Sequence, residues 1–221
     1  MISKIECFNE RLKRVEDYVA VEVKVNIYGN DRFLATLNCS PEKLEYLAIG
    51  YLIDMGYTIY EGIKRIEVRY PKIFAEFEIC RRKREISNFK FRIEEVFRLM
   101  DYLSSSEVWK LTGGIHTALI HCNGDTFICE DVSRSCAVDK VVGLAAKRGV
   151  DFDESILVVS CRISEIIAKK AANAGIPVVA SRTAVTTAGI EVAKENGITL
   201  LGFVRNGTAK VYTNPWRFGK A

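Results

Sequence analysis

The sequence predicts a mixed fold of the α+β and α/β classes: a small N-terminal antiparallel-sheet domain with one helix, then a three-layer α/β/α domain. Three observations lead there. Apolar and polar residues alternate from Val19 to Ile27, the period of a half-buried strand. Asn123-Gly124 lies between two apolar runs, a strong short hairpin signal because both turn residues tolerate positive φ. Beyond the hairpin, short continuous apolar runs alternate with helical stripes, which argues for parallel strands joined by right-handed crossovers. The polar, basic stretch from Arg81 to Asn88 sets a boundary, giving domains 1–88 and 89–221.

In chain order, Val19, Val21, Val23, Val25 and Ile27 form one strand; Gly29-Asn30 turns it, and Phe33 to Leu37 returns. Ser40-Pro41 offers a capping hydroxyl and a proline at the first helical position. Leu44, Leu47, Ala48, Tyr51, Leu52 and Met55 then make an apolar stripe that stops at Gly56. Ile63 to Tyr70 and Ile73 to Cys80 read as two strands around Pro71. Ile93, Val96, Phe97, Met100 and Leu103 form a helix broken by Ser104-Ser105-Ser106, and Glu107 to Leu111 a short one. Thr117 to Cys122 and Thr126 to Glu130 make the hairpin; Ala137 to Ala145 is a helix ending near Gly149. Ser155 to Ser160 and Ile176 to Ala180 are strands buried on both faces, separated by a helix from Ile163 to Ala174. A helix over Thr187 to Glu195, a strand over Ile198 to Leu201 and a terminal hairpin turning at Asn206-Gly207 complete the pattern.

The chain has 221 residues, 48% of them hydrophobic, enough for a substantial core. A net charge of +4 from 32 basic and 28 acidic residues does not point to nucleic acid; it suits an anionic small molecule held by a local basic patch. The basic run Arg81-Arg82-Lys83-Arg84 reads as a solvated turn. Seven cysteines, an odd number, and the polar start Met1-Ile2-Ser3-Lys4 imply free thiols in a reducing cytoplasm, and no apolar run is long enough to span a bilayer. No C-x-x-C spacing occurs, so a structural zinc site is not expected.

Phosphate loops of the G-x-x-x-x-G-K-[ST] and G-x-G-x-x-G types are absent, as is a G-x-S-x-G elbow. Polar residues crowd the ends of the central hairpin: Thr112, Gly113, Gly114 and His116 before it, Ser133, Arg134, Ser135 and Cys136 after it. Gly113-Gly114 could bring a ligand close to backbone N–H groups. His116 could pair with Cys136 or Cys161 if the fold joins them. Ser160-Cys161-Arg162 and Ser181-Arg182-Thr183 each end a predicted parallel strand, where open α/β sheets bind ligands. With Arg205 they suit phosphate or carboxylate, though the same residues also read as helix caps with solvated arginines.

Here the chain resembles the FdhD family, the accessory proteins of formate dehydrogenase. The matching segments run in order: AVEVKVNIYGNDRFLATLNCSPEKLEYLAIGYLIDMG, TGGIHTA, EDVSR with AVDKVVG, Arg162-Ile163-Ser164, KKAANAGIPVVASRTAVTTAGIEVAKENGITLLGFVRNG and VYTN. The resemblance implies a cytidine-deaminase-like C-terminal domain, a smaller N-terminal domain and a homodimer. It implies a sulfur carrier that takes persulfide sulfur from a cysteine desulfurase. The recipient would be a molybdenum or tungsten bis-guanine-dinucleotide cofactor, before that cofactor enters formate dehydrogenase. The family's cofactor-binding segment falls on Phe203, Val204, Arg205, Asn206, Gly207 and Thr208, and Gly113, Gly114, His116, Arg134 and Arg162 are expected to join it.

Departures from the family pattern sharpen the expectations. The persulfide cysteines of the family form a C-G-x-C-G loop before TGG; here that region holds no C-x-x-C, and Cys80 is the nearest thiol. Ser133-Arg134-Ser135-Cys136 replaces a Gly-Arg-His-Asn stretch, so Cys136 is the second candidate carrier. Thr183-Ala184-Val185-Thr186 stands where Ser-Ala-Pro-Thr is usual. Zinc deamination is not expected, because H-x-E and P-C-x-x-C are missing. Two alternatives stand beside the sulfur carrier: a cofactor- or guanine-nucleotide-binding module that has lost sulfur transfer, and a small-molecule enzyme using His116, Asp139 and Lys140.

Overall fold

The computed structural model describes residues 1–82, 85–103 and 105–219; Lys83 and Arg84 of the basic run and Ser104 of the serine triplet lie outside them. The chain opens with a two-stranded ribbon, β1 (Ile2–Phe8) and β2 (Arg14–Ala20). A four-stranded sheet follows, built from β3 (Val23–Gly29), β4 (Arg32–Cys39), β5 (Ile63–Arg69) and β6 (Lys72–Phe77) in the order β4-β3-β6-β5. Helix α1 (Leu44–Asp54) connects its halves. The single strand expected from Val19 to Ile27 is therefore two, in different sheets, because the period-two alternation runs unbroken through the crossing at Val21-Glu22. The sheet expected to be antiparallel is mixed: the α1 crossover returns the chain so that β6 lies parallel to β3.

Next come α2 (Ile93–Leu103), α3 (Glu107–Thr112), β7 (His116–Cys122), β8 (Asp125–Asp131) and α4 (Arg134–Lys147). Asn123 and Gly124 turn β7 into β8 with φ of 49° and 87°, as the Asn-Gly signal predicts. Then β9 (Ser155–Val159), α5 (Glu165–Ala174), β10 (Val178–Ser181), α6 (Thr187–Glu195), β11 (Thr199–Arg205) and β12 (Thr208–Thr213) follow. They join β7 and β8 in a six-stranded sheet of order β12-β11-β10-β9-β7-β8. β9, β10 and β11 are parallel, as their unbroken apolar runs predict, and antiparallel hairpins close both ends. Val96, Leu99, Met100 and Leu103 of α2 cover one face of the sheet. The apolar faces of α4, α5 and α6 cover the other, so helices lie on both sides of a central sheet.

Helix α1 is apolar over most of its surface because all of its residues but Glu45 and Tyr46 are buried, between the four-stranded sheet and α4 and α5. Its contact with α4 is backbone against backbone. A Cβ on Gly50 would lie 1.7 Å from the carbonyl oxygen of Asp139, and one on Gly143 would lie 2.0 Å from that of Tyr46. Ser40 does not cap α1, which starts at Leu44 after Lys43 in the left-handed region. Its groups join the sheets instead. Its N–H donates to Asp131 Oδ2 (3.1 Å), its hydroxyl accepts from the Val132 N–H (3.1 Å), and its carbonyl accepts from Lys140 Nζ (2.9 Å). Lys140 also pairs with Asp131 at 2.5 Å, both fully buried.

A second buried group sits deeper. Lys170 of α5 is ion-paired with Asp139 of α4 and lies 4.0 Å from Asp54 of α1. Burial holds the Asp54 carboxyl well above the ordinary carboxylate range against the pull of Lys170. Burial also works against the Lys170 ammonium, but the two carboxylates outweigh it and its pKa lies above the ordinary value. Within the triad, burial thus favours the protonated form of Asp54 while Lys170 keeps its charge.

The glycine contact yields a test. Gly50→Ala should lower stability by about 3 kcal/mol or more, since the clash is with backbone and cannot be relieved by a rotamer change. The Ala substitution at the solvent-facing Gly149, where an added Cβ meets nothing within 4 Å, serves as the control, its cost limited to its left-handed φ of 74°. Urea denaturation midpoints measure both.

Candidate functional site

The carboxyl ends of β9, β10 and β11, with the start of the antiparallel β7, form one edge of the six-stranded sheet. Two clefts open there. The larger, of about 570 Å³, is lined by Leu103, Trp109, Gly113, Gly114, Ile115, His116, Thr117, Ser160 and Arg182. The smaller, of about 320 Å³, is lined by α2 residues including Arg98 and Asp101 and by Arg182, Val204, Arg205, Asn206 and Gly207. Arg182 belongs to both, so the clefts are contiguous.

Strand pairing fixes the larger cleft. The Thr117 N–H donates to the Ser160 hydroxyl (2.9 Å) and the Ser160 N–H to the Thr117 carbonyl (3.0 Å), locking the start of β7 to the end of β9. His116 is half-buried beside them. Burial lowers its pKa below the ordinary value of 6.5, and Arg134 and Arg162 push it further down. The ring is therefore neutral at neutral pH, and two guanidinium groups lie close enough to act on it. Arg134 is the first residue of α4, after the Ser133 hydroxyl that accepts from the Cys136 N–H. Arg162 is exposed after β9.

Gly113 and Gly114 do not present free N–H groups, contrary to expectation. Gly113 donates to the Trp109 carbonyl (2.7 Å) and Gly114 to the Thr112 hydroxyl (3.2 Å), closing the C-terminus of α3. Gly113 offers space instead: at φ 62° its position would place a Cβ with nothing within 4 Å.

The smaller cleft is shaped by a bulge in β11. Its pairing with β12 shifts between Gly202 and Arg205, and Phe203 takes φ 53°, unusual for a side chain of its size. The Phe203 N–H donates to the Thr183 carbonyl (2.8 Å), which ties the bulge to the end of β10. Val204 turns into the core, while Arg205, Asn206, Gly207 and Thr208 are exposed, with the Thr208 hydroxyl donating to the Arg205 carbonyl (3.0 Å) across the turn. Arg205 and Lys210 lie over the Phe203 ring at 5.9 and 5.0 Å.

At this edge a match decides the kinship: the sequence profile of the FdhD/NarQ family fits residues 72–219. The chain belongs to the FdhD/NarQ family. Among similar proteins, protein FdhD of Methanocaldococcus jannaschii is 37% identical, with 96% of this chain and 95% of that protein aligned. Sulfur carrier protein FdhD of Methanothermobacter thermautotrophicus is 34% identical, covering 95% and 94%. A crystal structure from Desulfotalea psychrophila, of a protein described as a formate dehydrogenase accessory protein, superposes with a TM-score of 0.86. It is 25% identical and covers 99% of both chains.

In this FdhD/NarQ chain the two candidate thiols lie apart from the arginine edge or beneath it. Cys136 is 2% exposed, packed with Val25, Cys39 and Leu47. Burial pushes its thiol up to about 12, and it donates to the Asn38 carbonyl (3.5 Å). A thiol so held is neutral and packs as a small apolar group, because the thiolate is the nucleophile. Cys161 is also buried, its thiol raised to about 11 despite Arg134 and Arg162. Cys80 is half-buried in a third cleft of about 560 Å³ with Arg81, Arg82, Asp153, Pro177 and Ile198. Those last three precede β9, β10 and β11, so Cys80 sits at the opposite edge of the sheet. The five residues of β9 separate the two edges by about 17 Å. His116, Asp139 and Lys140 do not converge: the latter two are spent in the buried ion pairs, which removes the acid/base reading. Trp109, Arg98 and Asp101 are lining residues that no sequence motif marked.

Proton linkage tests the electrostatics of the cleft. Sulfate, a dianion across the accessible range, should raise the His116 pKa measured by NMR from its lowered position. Its affinity should therefore increase as pH falls through the interval between the sulfate-free and sulfate-bound values. Arg134→Ala should raise the sulfate-free pKa by removing a neighbouring cation. A His116 titration unmoved by sulfate would separate this ring from any anion bound there.

Proposed function

We propose that this protein is an accessory sulfur carrier for a formate dehydrogenase, acting as a homodimer in the reducing cytoplasm. Its α/β/α part is read as cytidine-deaminase-like. Its cargo is a molybdenum or tungsten bis-guanine-dinucleotide cofactor, held at the carboxyl edge of the sheet. The observation that carries the reading is convergence. Gly113, Gly114 and His116 line one cleft, Val204, Arg205, Asn206 and Gly207 line the contiguous one with Arg98 and Arg182, and Arg134 and Arg162 lie close enough to His116 to act on it. Arginine forks suit the phosphates of a dinucleotide, and a neutral His116 beside them can accept or donate one hydrogen bond and take up a proton when an anion binds.

For sulfur, Cys80 is the candidate acceptor from a cysteine desulfurase. Its thiol lines a cleft together with Arg81 and Arg82. No C-x-x-C accompanies it, and it stands on the far edge from the arginines that would hold the cargo. That separation favours a second reading, a module that binds the cofactor or a guanine nucleotide and no longer transfers sulfur. Among the described residues no helix is long and apolar enough to cross a membrane.

Two measurements decide between them. Calorimetry with GDP should show binding that Arg162→Ala and Arg205→Ala each weaken about tenfold, the size of one charge-assisted hydrogen bond; a wild-type protein that ignores GDP sinks the cargo reading. Incubation with a cysteine desulfurase and L-cysteine should place a persulfide on Cys80, seen with a thiol tag and mass spectrometry and lost in Cys80→Ser. If no cysteine gains sulfur, the binding module stands alone.

A further inference from the structure

We infer that Trp109 is the stacking platform for a purine base, so that the cleft between α2, α3 and the start of β7 takes the base of a nucleotide whose phosphates lie on the neighbouring arginines. This rests on the nucleotide-cargo reading above and assigns that ligand a direction within the site.

Trp109 is 55% exposed, a large apolar surface left uncovered on the wall of the larger cleft. Its backbone is nevertheless pinned. Its N–H donates to the Ser106 hydroxyl (2.9 Å) that caps α3, and its carbonyl accepts from the Gly113 N–H (2.7 Å) that closes the same helix. The capped helix therefore holds the indole on its surface instead of burying it. Gly113, with open space where a side chain would stand, lines the same cleft. The cleft volume of about 570 Å³ lies in the range that encloses small ligands.

The cleft is also polarised. Trp109 and Leu103 supply its apolar wall, while His116, Ser160 and Arg182 stand along it, and Arg182 leads into the second cleft with Arg98 and Arg205. A flat apolar surface continuous with clustered guanidinium groups complements a molecule with a flat aromatic end and an anionic end. Purine nucleotides have that form. Every base has a π-face, so stacking supplies affinity, and selection between bases falls to the hydrogen-bonding groups around it.

The experiment compares GDP with pyrophosphate on wild-type protein, Trp109→Ala and Trp109→Phe by calorimetry, with tryptophan fluorescence alongside. GDP should quench wild-type fluorescence, and Trp109→Phe should lose that quenching while binding GDP within about threefold of wild type. Trp109→Ala should bind GDP at least about tenfold more weakly, the contribution of one base–aromatic stack. Pyrophosphate affinity should be the same in all three, which also shows that the variants are folded. Equal GDP affinity in wild type and Trp109→Ala overturns the inference and leaves the arginine site intact. A Trp109→Ala protein that loses pyrophosphate as well overturns it too, since the indole then only supports the cleft. Wild-type protein that binds neither probe removes the cargo reading and this inference with it.

Discussion

The close approach of α1 to α4 is the constraint on which the rest of the molecule depends. Gly50 and Gly143 let two helix backbones meet where any side chain would hold them apart. That contact brings Asp54 of α1 within reach of Lys170 and Asp139, and brings Ser40 onto the Asp131–Lys140 pair. Buried charges add little net stability when paired, yet removing one partner strands the other, so these groups specify how the helices meet more than they strengthen the contact. With α4 fixed in this way, its first turn has one possible position. Arg134 then stands at the end of β8, close enough to His116 to lower that ring's pKa.

The site is made of chain ends held by ladders. Thr117 and Ser160 tie β7 to β9; Thr183 and Phe203 tie β10 to the bulge of β11. Flexible arginines can extend over the clefts because the backbone beneath them is rigid. The positive φ at Phe203 is the local strain that turns Arg205 and Asn206 outward while Val204 stays in the core.

Much of this was legible in the sequence where one physical signal dominates. The Asn123-Gly124 hairpin follows from turn chemistry, and β9, β10 and β11 from unbroken apolar runs that only a two-sided buried strand tolerates. Expectation failed where local pattern and tertiary demand coincide. Alternation from Val19 to Ile27 continues through a change of sheet, so no residue marks the crossing. Ser40-Pro41 carries a helix-cap signal, but the serine's polar groups answer to Asp131 and Lys140, 91 and 100 residues away by sequence. Cys136 lies among polar residues in sequence and in a core in space, because Ser133 starts a helix whose third residue turns inward. The Gly113-Gly114 pair signals a ligand site, yet the sequence cannot say that its N–H groups are taken by Trp109 and Thr112.

The length of one strand sets two clefts apart. The Cys80 cleft and the arginine clefts open on opposite edges, separated by the length of β9. The two sets of lining residues do not overlap, so a small molecule filling one cleft leaves every residue lining the other uncovered.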